Sequence, residues 1–302
     1  MSLTAILLIT LSAFAHAFWN YLSKRNDPST GFFWIATLAS AVVLLPLLVV
    51  FSQGLPFIRA LDWALIAATG MCQALYYVGL AGAYRNGDLS MAYPLARSLP
   101  VLLVASVSLL LGRGGQIGAL ALAGFFLVAL GCLALPLPRF RDFHPRHYLN
   151  RCCLFAVLAA IGTTGYTLID DQVLRNLRTA AAMPLPNTSI TLMFMSLENL
   201  SLMIALGLYV MLYRPDRSTL QRNWKSSLLA GSVTGLVMSG AYGLVLLAMA
   251  YVSNVSYVSA FRQLSLPIGA FLGMVVGQEP RRLPRLVGLA VILAGLVMVA
   301  LG

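Results

Sequence analysis

Apolar residues in this chain come in long runs, broken at intervals by short polar clusters. Ten runs stand out, at about 2–22, 31–51, 63–84, 89–111, 117–136, 152–174, 189–212, 226–249, 254–277 and 284–301. A helix needs about 20 apolar residues to cross a bilayer core, and each run comes close to that length. Charges, prolines and glycines separate them, as in Lys24-Arg25-Asn26-Asp27-Pro28, Arg85-Asn86-Gly87-Asp88 and Gln278-Glu279-Pro280-Arg281-Arg282. The pattern predicts ten transmembrane helices, each satisfying its backbone within its own segment as lipid demands. The longest connections, 137–151 and 175–188, leave little room for structure outside the membrane. The first run ends in Ala15-His16-Ala17, which resembles a signal-peptidase site. No basic side chain precedes it, however, and the apolar stretch continues through Phe18, Trp19 and Leu22 to Lys24-Arg25. It therefore reads as the first membrane helix.

Composition narrows the class. The chain is 60% apolar and 10% charged, with mean hydropathy +0.86, whereas a soluble domain carries about 25% charged residues. With 20 basic and 9 acidic side chains there are too few charges to wet a globule of this size, so soluble enzymes and nucleic-acid binders are excluded. The net charge of +11 lies mostly between apolar runs, where basic residues fix membrane orientation. Fourteen basic residues fall in loops after odd-numbered helices and four in loops after even-numbered ones. This predicts odd-numbered loops in the cytoplasm and both termini on the opposite, periplasmic side. Cys72, Cys132, Cys152 and Cys153 form no C-x-x-C pair or metal spacing and read as small packing residues.

The two halves of the chain echo each other. Leu80-Ala81-Gly82-Ala83-Tyr84 in helix 3 matches Leu247-Ala248-Met249-Ala250-Tyr251 in helix 8. Fourteen residues after each tyrosine stands Ser-Leu-Pro, at Ser98–Pro100 and Ser265–Pro267. Helices 5 and 10 close on similar stretches, 124–131 and 295–302. The predicted organisation is a first five-helix repeat at 1–136, a central cytoplasmic loop at 137–151 and a second repeat at 152–302. Five is odd, so the second copy enters the membrane from the opposite side. The expected fold is thus an all-α integral membrane protein of ten transmembrane helices built as two inverted five-helix repeats, an arrangement of many secondary transporters. Gly231 and Gly235, and Gly269, Gly273 and Gly277, recur every four residues, spacing that lets helix backbones approach in lipid.

Polar side chains at membrane depth are costly and default to function. His16, Trp19 and Asn20 share one face of helix 1. Helix 3 carries Gln73, Tyr76, Tyr77 and Tyr84, a stripe that fits either packing or a cavity wall. Tyr93 and Arg97 lie one turn apart in helix 4, bracketed by Pro94 and Pro100, and each proline removes a backbone donor. Helix 9 repeats the pattern with Tyr257, Arg262, Gln263 and Pro267, and helix 7 adds Glu198 and Asn199. Two readings stay open for Arg97, Arg262 and Glu198. One is an ion pair holding helices 4, 7 and 9 in register. In the other, an arginine fork receives a substrate carboxylate while Glu198 pairs with the second arginine or binds a proton. Tyr166 and Tyr242 join Trp19, Tyr77 and Tyr93 as candidate walls for a flat apolar side chain. Asp170 and Asp171, at the end of helix 6, are expected at the interface.

No nucleophile elbow, phosphate-binding glycine loop or H-E-x-x-H motif occurs, and His144 and His147 lack partners with metal-site spacing. The expectation is a non-enzyme with no cofactor, no metal and no nucleic-acid partner. It would sit as a monomer in the lipid bilayer and handle a small-molecule substrate driven by a gradient. A membrane scaffold or intramembrane enzyme is the alternative from another class.

The close of helix 9 and helix 10 carry a resemblance. Gly277-Gln278-Glu279-Pro280, Gly288, and Gly295 seven residues before Gly302 resemble the repeat ending of the drug/metabolite transporter superfamily, in its EamA-type branch. Gly112-Arg113-Gly114-Gly115 departs from it, standing where an acidic residue is expected. Helix 1 offers His16 where four-helix multidrug members carry a membrane glutamate. The aromatic residues of helices 1, 3 and 4 resemble the bacterial aromatic amino-acid exporters of that superfamily. The resemblance implies an inner-membrane protein exporting amino acids, aromatic ones foremost, and similar metabolites by alternating access. A sugar, nucleobase or drug-like cargo is the alternative on the same fold.

Overall fold

The computed structural model describes residues 2–302 except 27–28, 87–88, 136, 138, 143–149 and 276–281, and the side chains of 21, 24–25, 84, 89–95, 142, 270 and 272–275 also lie outside the description. The described residues form helices α1 (Leu3–Arg25), α2 (Thr30–Val50), α3 (Ala60–Asn86), α4 (Leu89–Ser108) and α5 (Ala119–Ala134) in the first half. The second half holds α6 (Arg151–Arg178), α7 (Asn187–Leu212), α8 (Arg214–Ala248), α9 (Val255–Phe261), α10 (Ser265–Val275) and α11 (Leu283–Leu301). Eight stretches are long and apolar enough to cross a membrane, and α5, at 16 residues, is shorter. The architecture is that of an all-α, multi-pass membrane protein.

Helix starts follow local chemistry. Ser2, Ser29, Asn150 and Asn254 each accept a hydrogen bond from a first-turn N–H of the helix they precede, satisfying donors that a helix leaves unpaired. Three elements differ from the expectation. Helix α8 begins at Arg214 rather than near 226, because Pro215 suits the first turn and the polar residues up to Lys225 can stay helical in water. Helix α6 runs to Arg178, four residues past its apolar run. The run at 254–277 is divided by a 3-10 turn at Arg262–Leu264. Pro267 has no N–H for the carbonyl four residues back. Tighter turns satisfy the backbone here, and the Ser265 hydroxyl donates to the Arg262 carbonyl at 2.9 Å.

Polarity within α1 is inverted relative to a soluble helix. Leu7, Leu11, Phe14 and Phe18 are exposed, whereas Ser12, His16 and Trp19 are buried, as a lipid solvent requires. Packing pairs α3 with α6, α5 with α11, α1 and α2 with α8, α2 and α3 with α7, and α4 with α5 and α6. Glycines mark the close crossings. A Cβ at Gly124 would stand 2.7 Å from the Gly295 carbonyl oxygen and one at Gly295 2.8 Å from that of Gly124. Gly131 and Gly288 repeat this reciprocity one step along, at 2.7 and 2.8 Å, which makes α5 and α11 antiparallel. Gly79 and Gly162 admit the α3–α6 crossing in the same way. Of the predicted small-residue stripes, Gly231 and Gly235 pack on α2, whereas Gly269 meets nothing within 4 Å. Gly277 lies outside the described residues, as does the side-chain environment of Gly273.

Candidate functional site

The helices converge on a cavity of about 50 Å³, room for a few water molecules. His16 and Trp19 reach it from α1, Gln73, Tyr76 and Tyr77 from α3, and Arg97 and Pro100 from α4. Across from them stand Thr163 and Tyr166 of α6, Met195, Glu198, Asn199 and Leu202 of α7, and Met238, Ser239 and Tyr242 of α8. Ser259 of α9 and Arg262 and Gln263 of the following turn complete the lining. Twelve of the polar and aromatic residues singled out in the sequence therefore meet at one place: His16, Trp19, Gln73, Tyr76, Tyr77, Arg97, Tyr166, Glu198, Asn199, Tyr242, Arg262 and Gln263.

Two others, Asn20 and Tyr257, do not join them. Asn20 turns back along its own helix, its Nδ2 donating to the His16 carbonyl at 2.6 Å. Tyr257 is buried elsewhere, against Phe125 at 6.0 Å between ring centroids. Its hydroxyl accepts from the Gly118 N–H and contacts the Gly302 carbonyl, both at 3.2 Å, so it fastens the ends of α5 and α11. The side chain of Tyr93 lies outside the described residues, as do His144 and His147.

Aromatic rings form one continuous wall. Phe33 meets Tyr77 at 4.9 Å, Tyr77 meets Tyr76 at 4.8 Å, Tyr76 meets Tyr166 at 6.1 Å and Tyr166 meets Tyr242 at 5.5 Å. Most of these contacts are edge-on, the arrangement ring quadrupoles favour. The Tyr77 hydroxyl donates to Met238 Sδ at 2.8 Å. His16 lies edge-on to Trp19 at 5.9 Å, with Nδ1 3.4 Å from the Ser12 hydroxyl.

Charged groups sit against this wall. The Arg262 guanidinium lies over Tyr166 and Tyr242, 5.6 and 5.2 Å from their centroids, within cation–π range. Its Nη2 donates to the Tyr166 hydroxyl at 2.9 Å and its Nη1 approaches Thr167 Oγ1 at 3.5 Å. Arg97 is 7% exposed. Glu198 accepts from the Gln73 amide, and among the described residues no ion pair joins it to either arginine. The register-holding ion pair is thus absent among the described residues, and α7 is tied to α3 through the Gln73 amide and to α8 by Asn199 Nδ2, which donates to Ser239 Oγ at 2.9 Å.

Asp170 corrects an expectation. Expected at the membrane interface, it is fully buried within the protein at 0% exposure. Its two oxygens accept from Thr69 Oγ1 of α3 and the Tyr242 hydroxyl of α8, each at 2.5 Å. Asp171, 1% exposed, accepts from Arg113 at 3.1 Å and Arg175 at 2.8 Å. One signal could have found Asp170: it lies one turn after Tyr166, so a helix continued past 174 places both on one stripe.

Eleven buried side-chain nitrogens and oxygens have no hydrogen-bond partner among the described residues, and five of them line this cavity: Trp19 Nε1, Glu198 Oε2, Asn199 Oδ1, Arg262 Nε and Gln263 Oε1. Buried polar atoms are almost always paired, so their concentration in one cavity marks a place where a ligand or water would complete them. Two are donors and three are acceptors.

No family model matches the sequence, and no curated protein matches it either. Twenty-seven chains of solved structures match it. One, described only as a crystal structure of a protein, is 14% identical with a TM-score of 0.68, over 98% of this chain and 97% of that chain. At that identity the likeness concerns the fold alone, over essentially its whole length.

Proposed function

We propose that this chain is a secondary transporter that exports amino acids, aromatic ones foremost, and similar small metabolites across a bacterial inner membrane. It would work by alternating access around the central cavity. The observation that carries this reading is the set of unpaired donors and acceptors that line one cavity beside an aromatic wall. A zwitterion offers both complements: its carboxylate takes the Arg262 and Trp19 donors, and its ammonium takes the Glu198, Asn199 and Gln263 acceptors. An aromatic side chain would then lie against the tyrosines, each ring contact worth about 0.5–1.5 kcal/mol.

The pairing of helices supports two inverted repeats and a ten-span count. Advancing each partner by five spans, with α9–α10 as the ninth and α11 as the tenth, turns the α1–α8 pair into α6–α3 and the α2–α8 pair into α7–α3. It turns α4–α6 into the contact of α9–α10 with α1, and returns α5–α11 to itself; all of these pairs are packed. Such symmetry supplies two related gates around one site. The resemblance to the drug/metabolite transporter superfamily agrees with it.

Purified protein in liposomes tests the proposal. Labelled phenylalanine and tryptophan should cross, whereas a sugar and a nucleobase should not, and runs with and without a proton gradient would expose coupling. Arg262→Ala should insert normally yet lose about tenfold or more of the flux, as expected when a charge-assisted hydrogen bond is removed. Flux of a sugar or nucleobase but of no amino acid would overturn the assignment of cargo, and unchanged flux in Arg262→Ala would remove that residue from the site.

A further inference from the structure

Arg262 stands at the weakest point of its own backbone. The helix is broken there by the 3-10 turn Arg262–Leu264, which joins the 7-residue α9 to α10. A side chain leaving such a turn is not aimed by a continuous helix. What holds the guanidinium is a clamp of side chains from α6 and α8: the Tyr166 and Tyr242 rings, the Tyr166 hydroxyl and Thr167. Tyr166 is fixed within the aromatic wall by Tyr76 and Tyr242. Tyr242 is fixed by its hydroxyl, which donates to Asp170 at 2.5 Å. Asp170 is anchored in turn by Thr69 at 2.5 Å.

We infer that Asp170 is a positioning residue for substrate binding, acting through Tyr242 to hold the Arg262 guanidinium where it meets the substrate carboxylate. It does not line the cavity and touches no substrate. Its carboxylate fixes the ring on which the cation rests and gives that cation a counter-charge one layer behind the wall. The chain Thr69–Asp170–Tyr242–Arg262 crosses four elements, α3, α6, α8 and the turn after α9, so the arginine is set by helices other than its own. Charge-assisted hydrogen bonds are about twice as strong as neutral ones and fix geometry accordingly. A carboxylate fits this role better than an amide, because both its oxygens accept and both are used.

The inference rests on the reading of the cavity as a substrate site, and one measurement separates the two. In transport assays, Asp170→Asn and Tyr242→Phe should each raise KM for the amino acid about tenfold and leave the maximal rate within about twofold, the ratio expected for a lost hydrogen bond to a charged group. The double variant should be no worse than either single one, because both remove the same link. Additive losses, or a fall in rate with KM unchanged, would overturn the proposal. Thr69→Val should move KM in the same direction by less and takes the place of Asp170→Asn if that variant fails to insert; an unchanged KM in Tyr242→Phe overturns the proposal whatever the aspartate variant does. The separating measurement is the side-chain nitrogen spectrum of arginine-labelled protein in detergent, with the Arg262 signal identified by its loss in Arg262→Lys. That signal should shift in both Asp170→Asn and Tyr242→Phe even if no amino acid is transported. If it stays in place, Asp170 does not position Arg262.

Discussion

Asp171 follows Asp170 in sequence and serves a different end. One of its oxygens accepts from both Arg113, in the turn after α4, and Arg175, one helical turn along α6. Arg113 follows Gly112, which adopts φ +75, a left-handed conformation costly for any residue with a Cβ. The arginines are 25% and 34% exposed, so water screens each pair and Arg113→Ala should cost about 1 kcal/mol or less. Asp171→Asn leaves two guanidiniums facing an amide and should cost roughly 1–3 kcal/mol. Thermal midpoints of the purified variants in detergent check the order, and a larger loss for Arg113→Ala would contradict it. The sequence pattern placed both aspartates at the membrane edge, because charge was read as the end of a span. The burial of Asp170 depends on Thr69 and Tyr242, 101 and 72 residues away, and nothing local to α6 reveals such partners. His16, Arg97, Glu198 and Arg262 were legible for the opposite reason: each interrupts an apolar run near its middle, where a polar group has few uses other than a site or an internal bond.

Helix contacts in lipid lack the hydrophobic driving force available in water, and they depend on close backbone approach. The α5–α11 crossing is the clearest instance, since Gly124 and Gly295 each face the other's carbonyl and neither backbone can yield cheaply. Gly124→Leu or Gly295→Leu should therefore destabilise the protein by roughly 1–3 kcal/mol through overpacking. Gly240→Ala, where an added Cβ meets nothing within 4 Å, should stay within about 0.5 kcal/mol. Unfolding followed by intrinsic fluorescence in detergent distinguishes them, and equal effects would mean that these glycines do not set the crossing. Periodicity in the sequence located these helices because the apolar runs are long and sharply bounded. It did not foresee the break at Arg262–Leu264, since Pro94 and Pro100 lie in an unbroken α4 while the equivalent Pro267 follows a break. Nor did it foresee the start of α8, since a polar amphipathic turn and a polar loop have similar composition.

Orientation belongs to the whole molecule, and it decides which way the proposed cargo moves. Helix α8 has 35 residues, about 52 Å at 1.5 Å per residue, against a hydrocarbon core of about 30 Å. Its first turns, with Arg214, Arg217, Arg222 and Lys225, must therefore stand outside the bilayer core, where Arg85 at the end of α3 pairs with Asp216 at 2.7 Å. These residues belong to the face holding fourteen of the loop basic residues, and Arg113 and Arg175 belong to the face holding four. Basic residues resist translocation, so the first face should be cytoplasmic. Ser218 is exposed on it and Ser253 is exposed on the opposite one. In intact cells, a membrane-impermeant maleimide should label Ser253→Cys, and it should label Ser218→Cys only after permeabilisation. Cys132, Cys152 and Cys153 are buried and should contribute little background, with the unmodified chain measuring what Cys72 adds. The reverse pattern would turn the molecule over: both termini would then face the cytoplasm, and a reporter active only there would work when fused to Gly302.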